Sequence, residues 1–382
     1  MPGIRKIILT LLAAGICALG SLWSWTATRG QEQSRENVSL SKWLSRDYSG
    51  NAFVGSKACA QCHVPEARTH LHNAMAQALS LSGDCQILSA RPRLTFRNGS
   101  YYYQITRQGN RKIYTVTNGA NSISEPLLYC FGLGRVGQTY LFKHNGLLYE
   151  TRLSYYQQLQ GLGFTTGHPR TEPTSLEEAL GRPLGTEEVG RCFGCHSTAA
   201  LSGSQLQLER IIPGVACEGC HGPGQRHIAA MKAQRFKDLQ ILDPSTLDPD
   251  TLSQEFCGSC HRSFDEVMLL PGQGGINNIR FQPYRIFNSA GHKGDRRIGC
   301  LACHDPHDNL EHQAAFYDSK CLACHLSSPG EAKTSDRQAP ACPVSRKQCV
   351  TCHMPKIEVP EMHNKFTDHW IRIAKPGEPP PN

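Results

Sequence analysis

Seven times in 382 residues the chain reads Cys-x-x-Cys-His. Motif 1 is Cys59/Cys62/His63, motif 2 Cys192/Cys195/His196, motif 3 Cys217/Cys220/His221 and motif 4 Cys257/Cys260/His261. Motif 5 is Cys300/Cys303/His304, motif 6 Cys321/Cys324/His325 and motif 7 Cys349/Cys352/His353. They take 14 of the 18 cysteines and 7 of the 17 histidines. Random placement at this composition gives about 0.04 such motifs, so the repetition is not accidental. The spacing has a chemical reason. Two thiols three residues apart reach both vinyl groups of one haem and form thioethers, and the next histidine lies under the iron. A zinc site needs two Cys-x-x-Cys halves, and nothing in it requires histidine after each second cysteine. A disulfide framework would not repeat one spacing seven times. The expected cofactors are therefore seven covalently attached haems c, each with its iron.

Haem attachment at this density constrains the fold. Six motifs fall between Cys192 and His353, a stretch of 162 residues. Porphyrins must then serve as much of the apolar core. The expected fold is a multihaem cytochrome, mainly short α-helices and coil wrapped round stacked haems, with a small antiparallel β insertion between haem 1 and haem 2. The insertion shows in "RLTFRNGSYYYQITRQGNRKIYTVTNG" and "QTYLFKHNGLLYETRLSYY". There, aromatic and β-branched runs are split by Asn-Gly pairs, the strongest short hairpin signal. Four to six strands are predicted over residues 91–160. "GLGRVG", from Gly132 to Gly137, fits a G-x-G-x-x-G pattern. It is set aside because its flanks read strand-turn-strand rather than strand-turn-helix. Short helices are predicted in "ALSGSQLQLERIIPG" and "RHIAAMKAQRFKDLQIL", a loop over Tyr284–Gly299, and disorder in "AKPGEPPPN". The domain reading runs 1–28 signal peptide or membrane anchor, 48–90 first haem segment, 91–166 β-rich insertion, 167–374 six-haem domain and 375–382 tail.

The amino-terminal reading rests on Arg5 and Lys6, followed by an uncharged run from Ile7 to Trp25. Ala18 and Gly20 suit cleavage, whereas Trp23 and Trp25 suit an anchor at a membrane interface. Either sends the remainder to the periplasm or otherwise out of the cytoplasm, possibly anchored to the inner membrane.

Ten histidines lie outside the motifs, enough to cap seven irons. His227 follows His221 by six residues, and His307 follows His304 by three. Each is too close to cap its own haem and is expected to ligate a neighbour. His292, His363 and His72 complete the candidate distal set with His369. Around motif 1, His70, His72 and Met75 compete. Cys85 and Cys130 are unassigned and open to disulfide pairing.

Several stretches resemble the bacterial multihaem cytochromes of the cytochrome c-552/4 domain family. They are "FVGSKACAQCH" (53–63), "GVACEGCHGPGQRH" (214–227), "GCLACHDPHDN" (299–309), "KCLACH" (320–325), and "CVTCHMPK" (349–356) followed by "FTDHW" (366–370). A more distant likeness runs to pentahaem nitrite reductase and octahaem hydroxylamine oxidoreductase-type cytochromes. The resemblance implies a distal-ligand role for His369, and by the same pattern for His227 and His307. Pentahaem nitrite reductases usually hold the catalytic haem through Cys-x-x-Cys-Lys, and no such motif occurs here. The likeness therefore implies an electron-transfer scaffold more than a named reaction, and no catalytic residue is assigned.

The formal charge is +8. Two propionates per haem would offset it, and no compact basic stretch with interleaved aromatics points to nucleic acid. Expected partners are other redox proteins or a quinol-linked donor. The leading expectation is an electron carrier with mostly bis-histidine haems. The alternative is an oxidoreductase acting on a small nitrogen or sulfur oxyanion at one five-coordinate haem, with His292, Lys293, Arg296 and Arg297 near it. A docking module built on the β insertion is a third.

Overall fold

Alternating apolar residues from Leu94 onward build a sheet much larger than the expected insertion. The computed structural model describes residues 43, 44, 46, 48, 50–203, 205–269, 275–289, 292, 298–325, 342–375 and 377. Ten antiparallel strands lie between Leu79 and Pro183. They are β1 (Leu79–Leu81), β2 (Arg93–Asn98), β3 (Tyr101–Gln108), β4 (Arg111–Thr117), β5 (Ser122–Phe131), β6 (Gly137–His144), β7 (Leu147–Thr151), β8 (Leu153–Tyr156), β9 (Gly161–Phe164) and β10 (Gly181–Pro183). The main order is β10-β7-β6-β5-β4-β3-β2, with β1 added on β5, β8 on β6 and β9 on β8. This corrects the expectation of a small insertion. The missed strands β1 and β10 have three residues each, too short to carry an alternation signal. Tertiary pairing alone makes them strands.

The inward side chains of this sheet form a core of their own. Tyr103, Tyr114, Tyr140, Phe142, Leu153 and Tyr155 are all fully buried there. Each such side chain contributes about 1.5–3 kcal/mol of apolar burial. The β unit therefore has a protein core and needs no porphyrin to fill it. Arg152, 1% exposed, sits at its edge. It donates through Nη2 to the carbonyls of Pro169 (2.9 Å) and Thr171 (2.6 Å), which folds the 165–175 loop back on the sheet. Gly132 to Gly137 spans the β5–β6 turn, as the flanking pattern predicted.

Outside the sheet the chain forms short helices. Those used below are α1 (Ser56–Cys59), α2 (Val64–His70), α3 (Gln86–Ala90), α4 (Leu176–Leu180), α5 (Thr186–His196), α6 (Cys217–His221), α7 (Gln225–Lys232), α8 (Gly258–His261), α9 (Phe264–Leu269), α10 (Gln282–Phe287), α11 (Ala314–His325) and α12 (Cys349–His353). A π-helical turn, Thr251–Cys257, leads into α8. Two local expectations are corrected. Residues 200–214 hold no α-helix but the two-residue strands Leu201–Ser202 and Gln205–Leu206, a 3-10 turn and a further short strand. The expected loop at Tyr284 is helical as part of α10, which starts with Pro283 in its first turn, where a missing N–H costs nothing. The helix predicted in "RHIAAMKAQRFKDLQIL" is α7.

A second cluster joins sheet to helices. Leu79, Leu141, Leu184, Val189 and Phe193 are buried together, with Tyr129, Phe131 and Cys192 against them. Motif 2 is thereby seated on β5. The expected signal or anchor segment, 1–28, and most of the expected tail lie outside the described residues. Among the described residues no helix is long and apolar enough to cross a membrane.

Candidate metal centres

A helical turn places residues i, i+3 and i+4 on one face. The two cysteines and the histidine of each motif have that spacing. Motif 3 is helix α6 and motif 7 is helix α12. Motifs 2 and 6 end α5 and α11. Motif 4 runs from the π-turn into α8, and motif 5 starts a 3-10 turn, Cys300–Ala302. In motif 1, Cys59 ends α1 and His63 is the residue before α2. Each triplet is therefore presented locally, without long-range help.

Most of the thiols sit in surroundings that favour an uncharged sulfur. Burial pushes Cys59 up to about 11, and Cys192 and Cys220 to about 12. Among the described residues no three Cys, His, Asp or Glu side chains converge to hold a metal ion by themselves. Thioether sulfurs on a porphyrin fit this environment.

Three of the fourteen attachment cysteines disagree with that picture. Cys62, Cys324 and Cys352 are exposed, whereas the other eleven are half-buried. Each exposed residue is the second cysteine of its motif, in motifs 1, 6 and 7. The reason lies in the packing of their helices. Helices α1 and α12 bury no residue, and α11 buries only Asp318. The first cysteine of each triplet faces a neighbouring segment, and the second turns to the outer side. His63 and His325 are exposed with them.

The histidines carry the second half of the geometry. A ring that binds iron through Nε2 usually donates Nδ1–H to a carbonyl or carboxylate, which sets its tautomer and angle. Nδ1 of His196 donates to Ala78 O (3.1 Å), that of His221 to Leu242 O (2.9 Å) and that of His353 to Arg372 O (2.6 Å). Three residues outside the motifs do the same. His227 donates to Leu239 O (2.6 Å), His369 to Thr367 O (3.1 Å) and His307 to its neighbour Asp305 (3.1 Å). Burial holds the His369 ring neutral, down to about 4.

These rings meet motif histidines at a consistent separation. His63 and His227 are 6.2 Å apart between ring centroids, His221 and His307 6.1 Å, and His304 and His369 6.2 Å. Two imidazoles on opposite sides of one iron, each bound at about 2 Å, lie about 6 Å apart between centroids. The spacing fits a shared metal, and it also falls within the range of about 4.5–7 Å of ordinary ring contacts.

The other candidates divide. His70, 5% exposed, lies 6.3 Å from His307 and close to His221, and its buried Nδ1 has no hydrogen-bond partner. His72, two residues on, is exposed. His70 is thus the residue of that region brought near His221 and His307. The signal that could have found it is the α2 spacing, seven residues or two turns after His63. His363 is half-buried and packs on Tyr156 (4.8 Å). His292 is buried, with Nδ1 3.3 Å from Ile298 O and Nε2 3.3 Å from an Asp250 carboxylate oxygen. In the β unit, His144 bonds Glu125 and Asn145 through its two nitrogens, and Nε2 of His168 bonds Glu150. Neither ring has Nε2 free for iron. Lys293, Arg296 and Arg297 lie outside the described residues. Cys85 and Cys130 are buried free thiols against one another, Cys85 also donating to Gln138 (2.9 Å).

Gly214 shows how tightly the motif 3 lead-in is held. Its φ is +77°, and a Cβ there would collide with the Ala76 carbonyl, next to the Val215 N–H bond to Met75 O (2.9 Å). Gly214→Ala is expected to cost about 1–3 kcal/mol, read as a lower thermal midpoint, because the left-handed backbone and the collision add. An unchanged midpoint would show that this crossing is loose.

Comparison with known proteins now bears on the same region. Residues 164–222, which contain motifs 2 and 3, match the family model of cytochrome c554 and c-prime. The match supports the class that the Cys-x-x-Cys-His repetition points to. This chain is a multihaem c-type cytochrome. No curated protein matches this cytochrome. Among solved structures, the outer cell wall cytochrome OcwA aligns at 15% identity and a TM-score of 0.49, over 84% of this chain and 80% of that one.

Proposed function

We propose that this cytochrome carries seven haems c, one on each motif, in mostly bis-histidine sites, and passes electrons between redox partners outside the cytoplasm. The observation that carries the reading is the three imidazole pairs at 6.1–6.2 Å. A haem iron with two axial histidines has no open position, so it exchanges electrons and binds no substrate. The residues assigned are His227 opposite His63, His369 opposite His304, and His307 or His70 opposite His221. His196, His261, His325 and His353 hold the remaining irons from the proximal side. His292, His363 and His72 remain the candidate distal ligands for these, His292 once its Nε2 leaves the Asp250 carboxylate. The exposed cysteines Cys62, Cys324 and Cys352 keep their attachment role, on haems whose edges a partner can reach. The donor is another redox protein or a quinol-linked enzyme, and the 1–28 segment either is cleaved or tethers the protein to the membrane.

Two measurements test this on the purified full chain. Mass spectrometry is expected to show seven haem additions. Electron paramagnetic resonance of the oxidised protein is expected to show low-spin iron dominating. His227→Ala is then expected to convert one haem equivalent to high spin with all seven still attached, since the thioethers do not depend on that ring. A high-spin haem in the wild type would favour the alternative, oxyanion chemistry at an open iron. A spectrum unmoved by His227→Ala would remove the His63–His227 pairing.

A further inference from the structure

The contacts between motifs order them in space, and the order is not that of the chain. We infer that the motifs form a three-armed hub, with motifs 3, 4 and 5 at the centre and arms ending at motif 1, at motif 2 and at motifs 6 and 7. The inference rests on haem attachment at each motif, as proposed above.

The centre is defined by two links that meet at motif 5. Ser253, one turn before Cys257, accepts from the backbone N–H of Cys300 (3.2 Å) and from its thiol (3.5 Å), and the Cys257 and Cys300 thiols meet. That joins motifs 4 and 5. His307, three residues after motif 5, faces His221 of motif 3.

Each arm leaves from a different member of this centre. The first leaves from motif 3. Glu218 accepts from the N–H groups of Val54 (2.8 Å) and Gly55 (2.7 Å), and Cys217 donates to Ser56 Oγ (3.5 Å) beside Cys59. The second leaves from motif 4. The Cys195 thiol of motif 2 donates to Ser259 O (3.6 Å) and meets the Cys260 thiol. Its far side rests on the sheet, where Phe131 packs on His196 (5.2 Å) and Tyr129 on Phe193 (4.8 Å). The third leaves from motif 5. His304 packs on Tyr317 of α11 (5.7 Å) and faces His369 (6.2 Å). Within that arm, Asp318 accepts from the N–H groups of Gln348 (2.8 Å) and Cys349 (2.9 Å), which docks motif 7 on motif 6.

A line of seven centres has two ends, and no member has more than two neighbours. This array has three ends, and motif 5 has three neighbours, motifs 3, 4 and 6. An electron entering by any arm reaches the other two through the centre. The arm at motif 2 is the one that ends on the β unit, so a partner docked on that sheet would exchange through motif 2.

The test uses the haem-loaded full chain and counts neighbours. Haem methyl resonances are followed during stepwise reduction, so that each haem reports its own midpoint. Changing one haem's midpoint changes the charge its neighbours feel, and this effect falls with distance. His304→Met, at motif 5, is expected to shift three midpoints besides its own. His196→Met, at motif 2, is expected to shift one. Two or fewer shifted by His304→Met, or more than one by His196→Met, would overturn the hub. If either variant loads incompletely, a crystal structure of the loaded wild type decides the matter. Three porphyrins in contact with that of motif 5 support the hub, and two or fewer overturn it. Fewer than seven haems on the wild type would refute the proposed haem count instead, and the same crystal structure would still read the contacts among those attached.

Discussion

Arg285→Ala is expected to lower stability by about 3–5 kcal/mol, the cost of leaving a buried charge without its partner. Arg285 on α10 is 1% exposed and Asp368 is fully buried. The guanidinium grips the carboxylate through two parallel bonds, Nε to Oδ1 and Nη2 to Oδ2, both 2.9 Å. Its face also lies over the Trp370 ring at 4.8 Å. The Trp370 backbone N–H donates to the same carboxylate, and Asp368 N–H donates to Pro355 O. This lattice brackets His369, so its loss also loosens the ring that faces His304. The measurement is chemical denaturation of the loaded protein, followed in the haem absorption band. Arg285→Lys keeps the charge but not the fork, and is expected to recover only part of the loss. A change under about 1 kcal/mol for Arg285→Ala would show that water reaches Asp368 and that the pair is not structural.

Glu218→Ala is expected to be nearly as damaging. This carboxylate occupies a variable position of motif 3 and is 1% exposed. It accepts from three backbone N–H groups, those of Val54 (2.8 Å), Gly55 (2.7 Å) and Gly224 (2.7 Å). Hydrogen bonds to a charged group are worth about 1.5–3 kcal/mol each, and buried donors left unmade cost as much again in desolvation. A net loss on the order of 4 kcal/mol follows, with Glu218→Gln intermediate because one oxygen remains to accept. The same denaturation experiment reads it. Limited proteolysis near residue 54 is expected to accelerate in the alanine variant, since the motif 1 segment loses its tie to motif 3. Unchanged proteolysis would mean that other contacts hold that segment.

Part of the site was open to reading before any coordinates. The triplet spacing needs only one helical turn, so motifs are local and show in the sequence. How far each triplet is enclosed does not show there. Cys62, Cys324 and Cys352 read the same as Cys195 or Cys220, and only the sparse packing around motifs 1, 6 and 7 leaves them exposed. His227, His307 and His369 stood out because each lies at a short offset from a motif or in a stretch resembling known cytochromes, and the structure sets each one opposite a motif histidine. His70 and His72 could not be separated that way. Both are polar, both follow motif 1, and only the packing of α2 buries the first and exposes the second. Glu218 and Asp368 carried no sequence signal. An acidic residue in a polar stretch reads as a solvated charge until backbone from a distant segment closes over it.

The β unit divides along the same line. Asn-Gly turns and alternating aromatics announced its central hairpins, because turn chemistry and pleat are properties of adjacent residues. Its extent to ten strands depended on three-residue edges that pair only once the sheet exists. The sequence by itself determined where the Cys-x-x-Cys-His triplets lie and which histidines accompany them, since spacing and side-chain chemistry are local properties. Tertiary structure alone decided which histidine faces which, and that motifs 3, 4 and 5 meet while motif 2 turns to the sheet. Those are contacts between residues tens to hundreds of positions apart, and nothing local encodes them.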